Sequence, residues 1–98
     1  MKCFTYILEN QKGKYYIGIT KISLENRLLR HNRGDVKSTK LGRPWHLIYA
    51  EPHNSYKSAR KREKQIKSWH GGNAFKKLLA TVAGSSNLPR RRRGEVGR

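Results

Sequence analysis

Two short runs near the start of the chain, Cys3 to Leu8 and Tyr15 to Thr20, are rich in β-branched and aromatic residues, with only Glu9-Asn10-Gln11-Lys12-Gly13-Lys14 between them. A polar, glycine-containing connection this short joins antiparallel strands, because a parallel pair needs a crossover of a dozen or more residues. The chain therefore opens with a β-hairpin. A third run, Trp45 to Ala50 after Pro44, adds a strand to the same small sheet. Between hairpin and third strand, Ser23 is a good N-cap and Leu24, Leu28 and Leu29 give an apolar side before Asn32 and Gly34 end the pattern, which predicts a helix. Gly34 to Arg43 reads as a basic loop. A second helix is predicted from Ser55 to Trp69, stopped by Gly71-Gly72. Asn73 caps a third, in which Phe75, Leu78, Leu79 and Val82 recur at helical spacing. The expected class is α+β, a three-stranded antiparallel sheet with packed helices in the order ββαβαα.

Charge then limits what such a fold can do. The 98 residues include 23 Lys+Arg against 6 Asp+Glu, a net charge of +17. A chain of this length holds one domain with a thin core, so any active site is shallow. The charge favours a polyanionic partner, nucleic acid or an anionic surface. No apolar run approaches the length of a membrane span, and Met1-Lys2-Cys3-Phe4 starts no signal peptide, so the expected location is cytoplasmic, with no membrane partner. The lone Cys3 makes no internal disulfide and reads as a small strand residue. Residues 1–83 are expected to form the folded domain. Residues 84–98, with almost no apolar side chains and with Arg90 to Arg93 in a row, are expected to be a disordered basic tail.

Some helix residues resist explanation by packing alone. Arg27 and His31 are four apart on the first helix, beside the Leu24 and Leu28 stripe, and are expected to point towards the sheet's edge. On the second helix Tyr56, Ala59, Glu63 and Ile66 share a face, and Glu63 is the lone carboxylate among Lys57, Arg60, Lys61, Arg62, Lys64 and Lys67. The plain reading of Glu63 is an i,i+4 ion pair with Lys67, and spacing alone slightly favours it. Arg27 as a packing residue and His31 as a satisfied helix-end histidine are the equivalent plain readings. The other acids Glu9, Asp35 and Glu51 are placed in turns or loops, and none pairs with Glu63. His31, His46, His53 and His70 have no zinc-site spacing. Trp45, Tyr49 and Trp69 read as packing residues more readily than as base-stacking ones.

Taken with Phe4-Thr5-Tyr6-Ile7 and Tyr15-Tyr16-Ile17-Gly18, these residues give the chain a resemblance to the GIY-YIG nuclease superfamily, in its small stand-alone form. Tyr6 matches the tyrosine of the first motif, although the glycine of that motif is absent. Tyr16-Ile17-Gly18 is the second motif. Arg27 and His31 fall at the helix arginine and the histidine that follows it, and Glu63 falls at the metal-binding glutamate. Asn73 and Asn87 are both candidates for a late asparagine. The resemblance covers residues 3 to about 80.

It implies a metal-dependent endonuclease hydrolysing DNA phosphodiester bonds, structure-selective or weakly sequence-specific, with a place in DNA repair or recombination. The implied catalytic set is Tyr6, Tyr16, Arg27, His31 and Glu63. Glu63 would be the ligand of Mg²⁺ or Mn²⁺, and there is no small-molecule cofactor. Branched, nicked or single-stranded DNA are the candidate substrates. Mg²⁺ is commonly held by one or two carboxylates plus substrate phosphate, so one glutamate suffices. Arginine offers phosphate a fork of donors that lysine lacks. A tyrosine would take the proton from water, with His31 accepting it or assisting the leaving group. The motifs do not choose between Tyr6 and Tyr16. The alternative is a basic nucleic-acid-binding module that keeps the fold and does not cut.

Overall fold

The computed structural model describes residues 2–85. Strands β1 (Cys3–Asn10), β2 (Tyr15–Thr20) and β3 (Trp45–His53) form one antiparallel sheet in the order β2-β1-β3, so the first strand is the central one. Helix α1 (Leu24–Arg33) follows the hairpin, and α2 (Tyr56–Ser68) and α3 (Asn73–Ser85) follow β3, which gives the expected ββαβαα order.

Local chemistry sets the boundaries. Asn10 closes the hairpin by accepting, at Oδ1, the backbone N–H groups of Lys12 and Lys14 at 3.0 and 2.9 Å. Ser23 caps α1 by accepting the Asn26 N–H at 3.1 Å. Gly34, at φ 88°, ends that helix in the left-handed conformation that glycine adopts without penalty. Ser55 caps α2 in the same way, through the Ser58 N–H.

Because β1 is central, both its faces are covered. On one face Ile7 packs with Tyr49, Ile66 of α2 and Phe75 of α3, and Thr5 Oγ1 donates to the Ala59 carbonyl at 2.9 Å. On the other, Tyr6 and Leu8 pack with Trp45 and with Leu24 and Leu28 of α1. Cys3 is buried on the same strand. A register shift between Ile7 and Leu8, which pair with Tyr49 and Leu47, marks a bulge in β3.

Three expectations need correction. The segment read as a basic loop contains a 3-10 helix, Lys37–Gly42. Glu9 and Glu51 lie in strands and not in turns or loops, because β1 and β3 extend past their apolar runs. Helix α3 spans Asn73–Ser85, and residues 86–98 of the expected tail lie outside the described residues. The third concerns His31 and is taken up with the site.

Glu51 joins β3 to α2. Its carboxylate accepts from Arg62 Nε at 2.9 Å and from the Tyr49 hydroxyl, and lies 2.9 Å from His53 Nε2. Burial alone would raise its pKa, but the hydrogen bonds from Tyr49 and His53 and the Arg62 charge outweigh that and hold it below its ordinary value. Burial and the bond to Glu51 push the Tyr49 phenol up to about 12. Among the described residues no helix is long and apolar enough to cross a membrane.

Candidate active site

The hairpin register places Tyr6 opposite Gly18 and Leu8 opposite Tyr16. Tyr6 and Tyr16 are thus diagonal neighbours on one face of the sheet, with ring centroids 6.3 Å apart. Gly18 makes this arrangement possible. A Cβ at that position would lie 2.7 Å from the Tyr6 hydroxyl oxygen and 2.9 Å from Tyr16 Cε2, closer than any side chain is tolerated. The two tyrosine rings therefore occupy the space a side chain would fill.

Helix α1 lies over this face and delivers Arg27 and His31, one turn apart. His31 does not point off the sheet's edge but is buried over the central and first edge strands, bonded to Tyr6 of β1 and packed on Tyr16 of β2. Its ring meets those of Tyr6 and Tyr16 edge-on at 5.8 and 5.1 Å. Arg27 Nε donates to the Tyr6 hydroxyl at 3.1 Å, and that hydroxyl lies 2.8 Å from His31 Nε2. On the far side of the imidazole, His31 Nδ1 is 2.7 Å from Thr39 Oγ1, which in turn donates to the Val36 carbonyl at 3.3 Å.

Hydrogen-bond accounting sets the direction of this chain. Among the described residues the Tyr6 hydroxyl has two partners, Arg27 and His31. Arg27 can only donate, so the tyrosine proton must go to His31 Nε2 if it is to be bonded at all. Nε2 is then the bare nitrogen, and Nδ1 carries the proton and donates it to Thr39. The order runs Arg27 to Tyr6 to His31 to Thr39 to the backbone. Every step is satisfied in the neutral Nδ1–H tautomer and in no other.

The electrostatics agree. Burial, and then the Arg27 charge, lower the His31 pKa to about 4, so the ring is neutral near pH 7. Burial also pushes the Tyr6 phenol above its ordinary value, against the hydrogen bond and charge of Arg27, and the charge of Glu63 contributes to the rise. The tyrosine is thus protonated in the resting protein, with its proton directed at a neutral imidazole.

Glu63 projects half-buried from α2, with its side chain 14% exposed, and makes the ion pair with Lys67 that its spacing suggests, at 3.1 Å. Its effect on Tyr6 puts it within electrostatic reach of the tyrosine. Among the described residues there is no group of three or more His, Cys, Asp or Glu that could hold a metal ion. A single partly exposed carboxylate suits a hard divalent cation that keeps most of its waters, and does not suit zinc, which is typically held by three or four protein ligands. Asn73 opens α3 at the surface, and Asn87 lies outside the described residues.

Sequence reasoning named Tyr6, Tyr16, Arg27, His31 and Glu63, and the fold brings the first four together. It read Gly18 only as part of the second motif, with no role of its own, and passed over Thr39. Counting across the hairpin would have put Gly18 opposite Tyr6. Thr39 gave no signal, since nothing local marks a threonine in a basic loop as the partner of a histidine eight residues earlier.

The model of the GIY-YIG catalytic domain matches residues 2–77. The UPF0213 proteins of Staphylococcus aureus strains Mu3 and COL are each 40% identical over 67 residues, spanning 67% of this chain and 80% of theirs. The solution NMR structure of the UPF0213 protein BH0048 from Bacillus halodurans is 28% identical, covers 84% of this chain and 85% of that one, and superposes with a TM-score of 0.48. With the family's domain matched across nearly all the described residues, the chain belongs to the GIY-YIG nuclease superfamily.

Proposed function

We propose that this protein is a metal-dependent endonuclease that hydrolyses DNA phosphodiester bonds, with Tyr6, Arg27, His31 and Glu63 carrying the reaction. The observation behind this reading is the Tyr6 hydroxyl held between a cation and a neutral base, Arg27 Nε at 3.1 Å and His31 Nε2 at 2.8 Å. This hydroxyl thus accepts from a fixed cation and has its own proton within hydrogen-bond reach of a neutral base, which is what a proton relay requires.

Arg27 spends only Nε on Tyr6, which leaves its terminal guanidinium nitrogens to hold the scissile phosphate. That phosphate offsets the positive charge contributing to the low His31 pKa, so substrate binding makes the imidazole more basic. As water attacks phosphorus, Tyr6 takes its proton and passes its own to His31 Nε2, while the ester P–O bond to the departing strand breaks and the leaving oxygen takes a proton from solvent water. The relay avoids a free tyrosinate, which burial makes costly. Thr39 acts as a positioning residue by keeping the imidazole proton on Nδ1. A divalent cation, Mg²⁺ or Mn²⁺, bound by Glu63 together with substrate phosphate, supplies Lewis-acid stabilisation of the charge on the phosphoryl oxygens. Tyr16, half-buried against His31, packs the substrate side of the site.

This choice of Tyr6 over Tyr16 is tested by nicking of supercoiled plasmid in Mg²⁺. Tyr6→Phe should slow nicking by about 10² to 10⁴, the usual worth of a general base, and Tyr16→Phe by about tenfold or less. The reverse order would move the relay to Tyr16.

A further inference from the structure

The 3-10 helix that turns Thr39 inward turns Leu41 outward. Thr39 is 1% exposed and Leu41 98% exposed. A fully bare leucine is ordinary on a featureless surface, but this one borders a cleft of about 550 Å³ between the hairpin turn and the 3-10 helix. The lining includes Lys12 and Lys14 from the hairpin, Leu41 from the 3-10 helix and Arg43 just after it, together with Tyr16 and Trp45. Tyr16 also packs against His31, and Thr39 bonds to it, so the cleft adjoins the candidate active site.

The cleft is held in shape by bonds that cross it. Asn10, whose Oδ1 organises the hairpin turn, donates from Nδ2 to the Gly42 carbonyl at 3.1 Å. Trp45 Nε1 donates to the Thr39 carbonyl at 2.8 Å. A Cβ on Gly42 would lie 2.5 Å from the Trp45 ring, so glycine is what lets the 3-10 segment close against the indole. The walls are therefore set before any ligand arrives, which lowers the cost of binding.

The Lys12 and Lys14 ammonium groups suit phosphates, and the aromatic and leucine surfaces suit the face of a base. The volume matches one or two nucleotides. We propose that this cleft holds an unpaired DNA nucleotide adjoining the cleavage site, with Leu41 packed on its base in place of the stacking neighbour it lost. The favoured substrate is then duplex DNA with an unpaired strand at its end or junction. This rests on the nuclease reading of the neighbouring site, since it is that site which makes the bound strand a substrate.

The test is the affinity of the full chain, by fluorescence anisotropy in chelator, for a forked DNA and for a blunt duplex of equal length, with wild type and Leu41→Ala. Wild type should prefer the fork by about tenfold, the scale of one stacked base, and Leu41→Ala should bring the ratio to about twofold or less. Thermal unfolding should not change, because the leucine contacts almost nothing. Equal wild-type affinity for the two DNAs, or an undiminished preference in Leu41→Ala, would overturn the proposal. The ratio needs no cleavage. A preference for the fork with no Mg²⁺-dependent nicking would defeat the nuclease reading and leave the cleft, whereas nicking without any preference would defeat the cleft alone.

Discussion

Tyr6 and His31, on β1 and α1, meet with Oη and Nε2 2.8 Å apart, and burial pushes their pKa values in opposite directions, the phenol upward and the imidazole down to about 4. The proton between them therefore rests on the tyrosine near pH 7. Two groups so matched are silent until something changes the local charge, and Arg27, bonded to one and lowering the pKa of the other, is where a phosphate would do so.

The depressed His31 pKa makes a prediction about stability. The unfolded chain protonates this histidine near pH 6.5 and the folded one only near 4, so the unfolded state binds more protons between those values. Stability should be complete above pH 6.5 and fall as the pH drops towards 4. Glu51, with its lowered pKa, loses its contribution only as the pH falls further, below the ordinary carboxylate range. Denaturant unfolding from pH 7.5 to 4 should follow this slope in wild type, and the slope should flatten in His31→Gln. An identical slope in both proteins would assign the titration elsewhere.

Gly18→Ala adds one methyl group where the Tyr6 hydroxyl already sits. Tyr6 is buried and bonded on both sides, so its ring cannot swing aside without leaving His31 and Arg27. The expected cost is about 1 to 3 kcal/mol of stability, as for other overpacked sites, with a loss of nicking comparable to that of Tyr6→Phe. Denaturant melts and plasmid nicking measure both. Wild-type nicking by this variant would mean that Tyr6 can function from a different position.

Thr39→Val keeps the shape and removes the acceptor for His31 Nδ1–H. The buried N–H is left unsatisfied, at about 1 to 3 kcal/mol, and the ring is free to change tautomer. Nicking should fall about tenfold or more, and Thr39→Ser should restore it. Imidazole ¹⁵N shifts report the tautomer directly. They should show Nδ1–H in wild type and Thr39→Ser and a mixture or the other form in Thr39→Val; an unchanged tautomer in the valine variant would remove Thr39 from the relay.

What could be read from the sequence followed from how local each signal is. The hairpin, the Ser23 and Gly34 caps and the helices of the ββαβαα order depend on neighbouring residues, and they stand as expected. Strand β3 was read three residues short, because Glu51 and Pro52 look like the end of a strand. Proline is tolerated there because β3 is an edge strand, where a missing N–H need cost no ladder bond. The position of His31 depended on which strand is central. The near-continuous run Phe4 to Leu8, covered on both faces, carries that information, whereas the spacing within α1 does not. Thr39 depends on a contact between a helix and an irregular segment, for which no sequence period exists.

Glu63 bears the most direct test of metal-dependent cleavage. Its ion pair with Lys67 is worth only a few tenths of a kcal/mol, so Glu63→Gln should fold with nearly wild-type stability. It supplies a neutral amide where a cation needs a carboxylate. The measurement is a paired one, of plasmid nicking and of DNA affinity, for wild type and Glu63→Gln, each with Mg²⁺ and with chelator. Wild type should nick only in Mg²⁺, and Glu63→Gln should lose nicking by orders of magnitude while binding DNA in chelator at least as tightly, since one charge that repels phosphate has gone. Equal Mg²⁺-dependent nicking by the two proteins, or none by wild type, would contradict a metal-dependent nuclease built on Glu63.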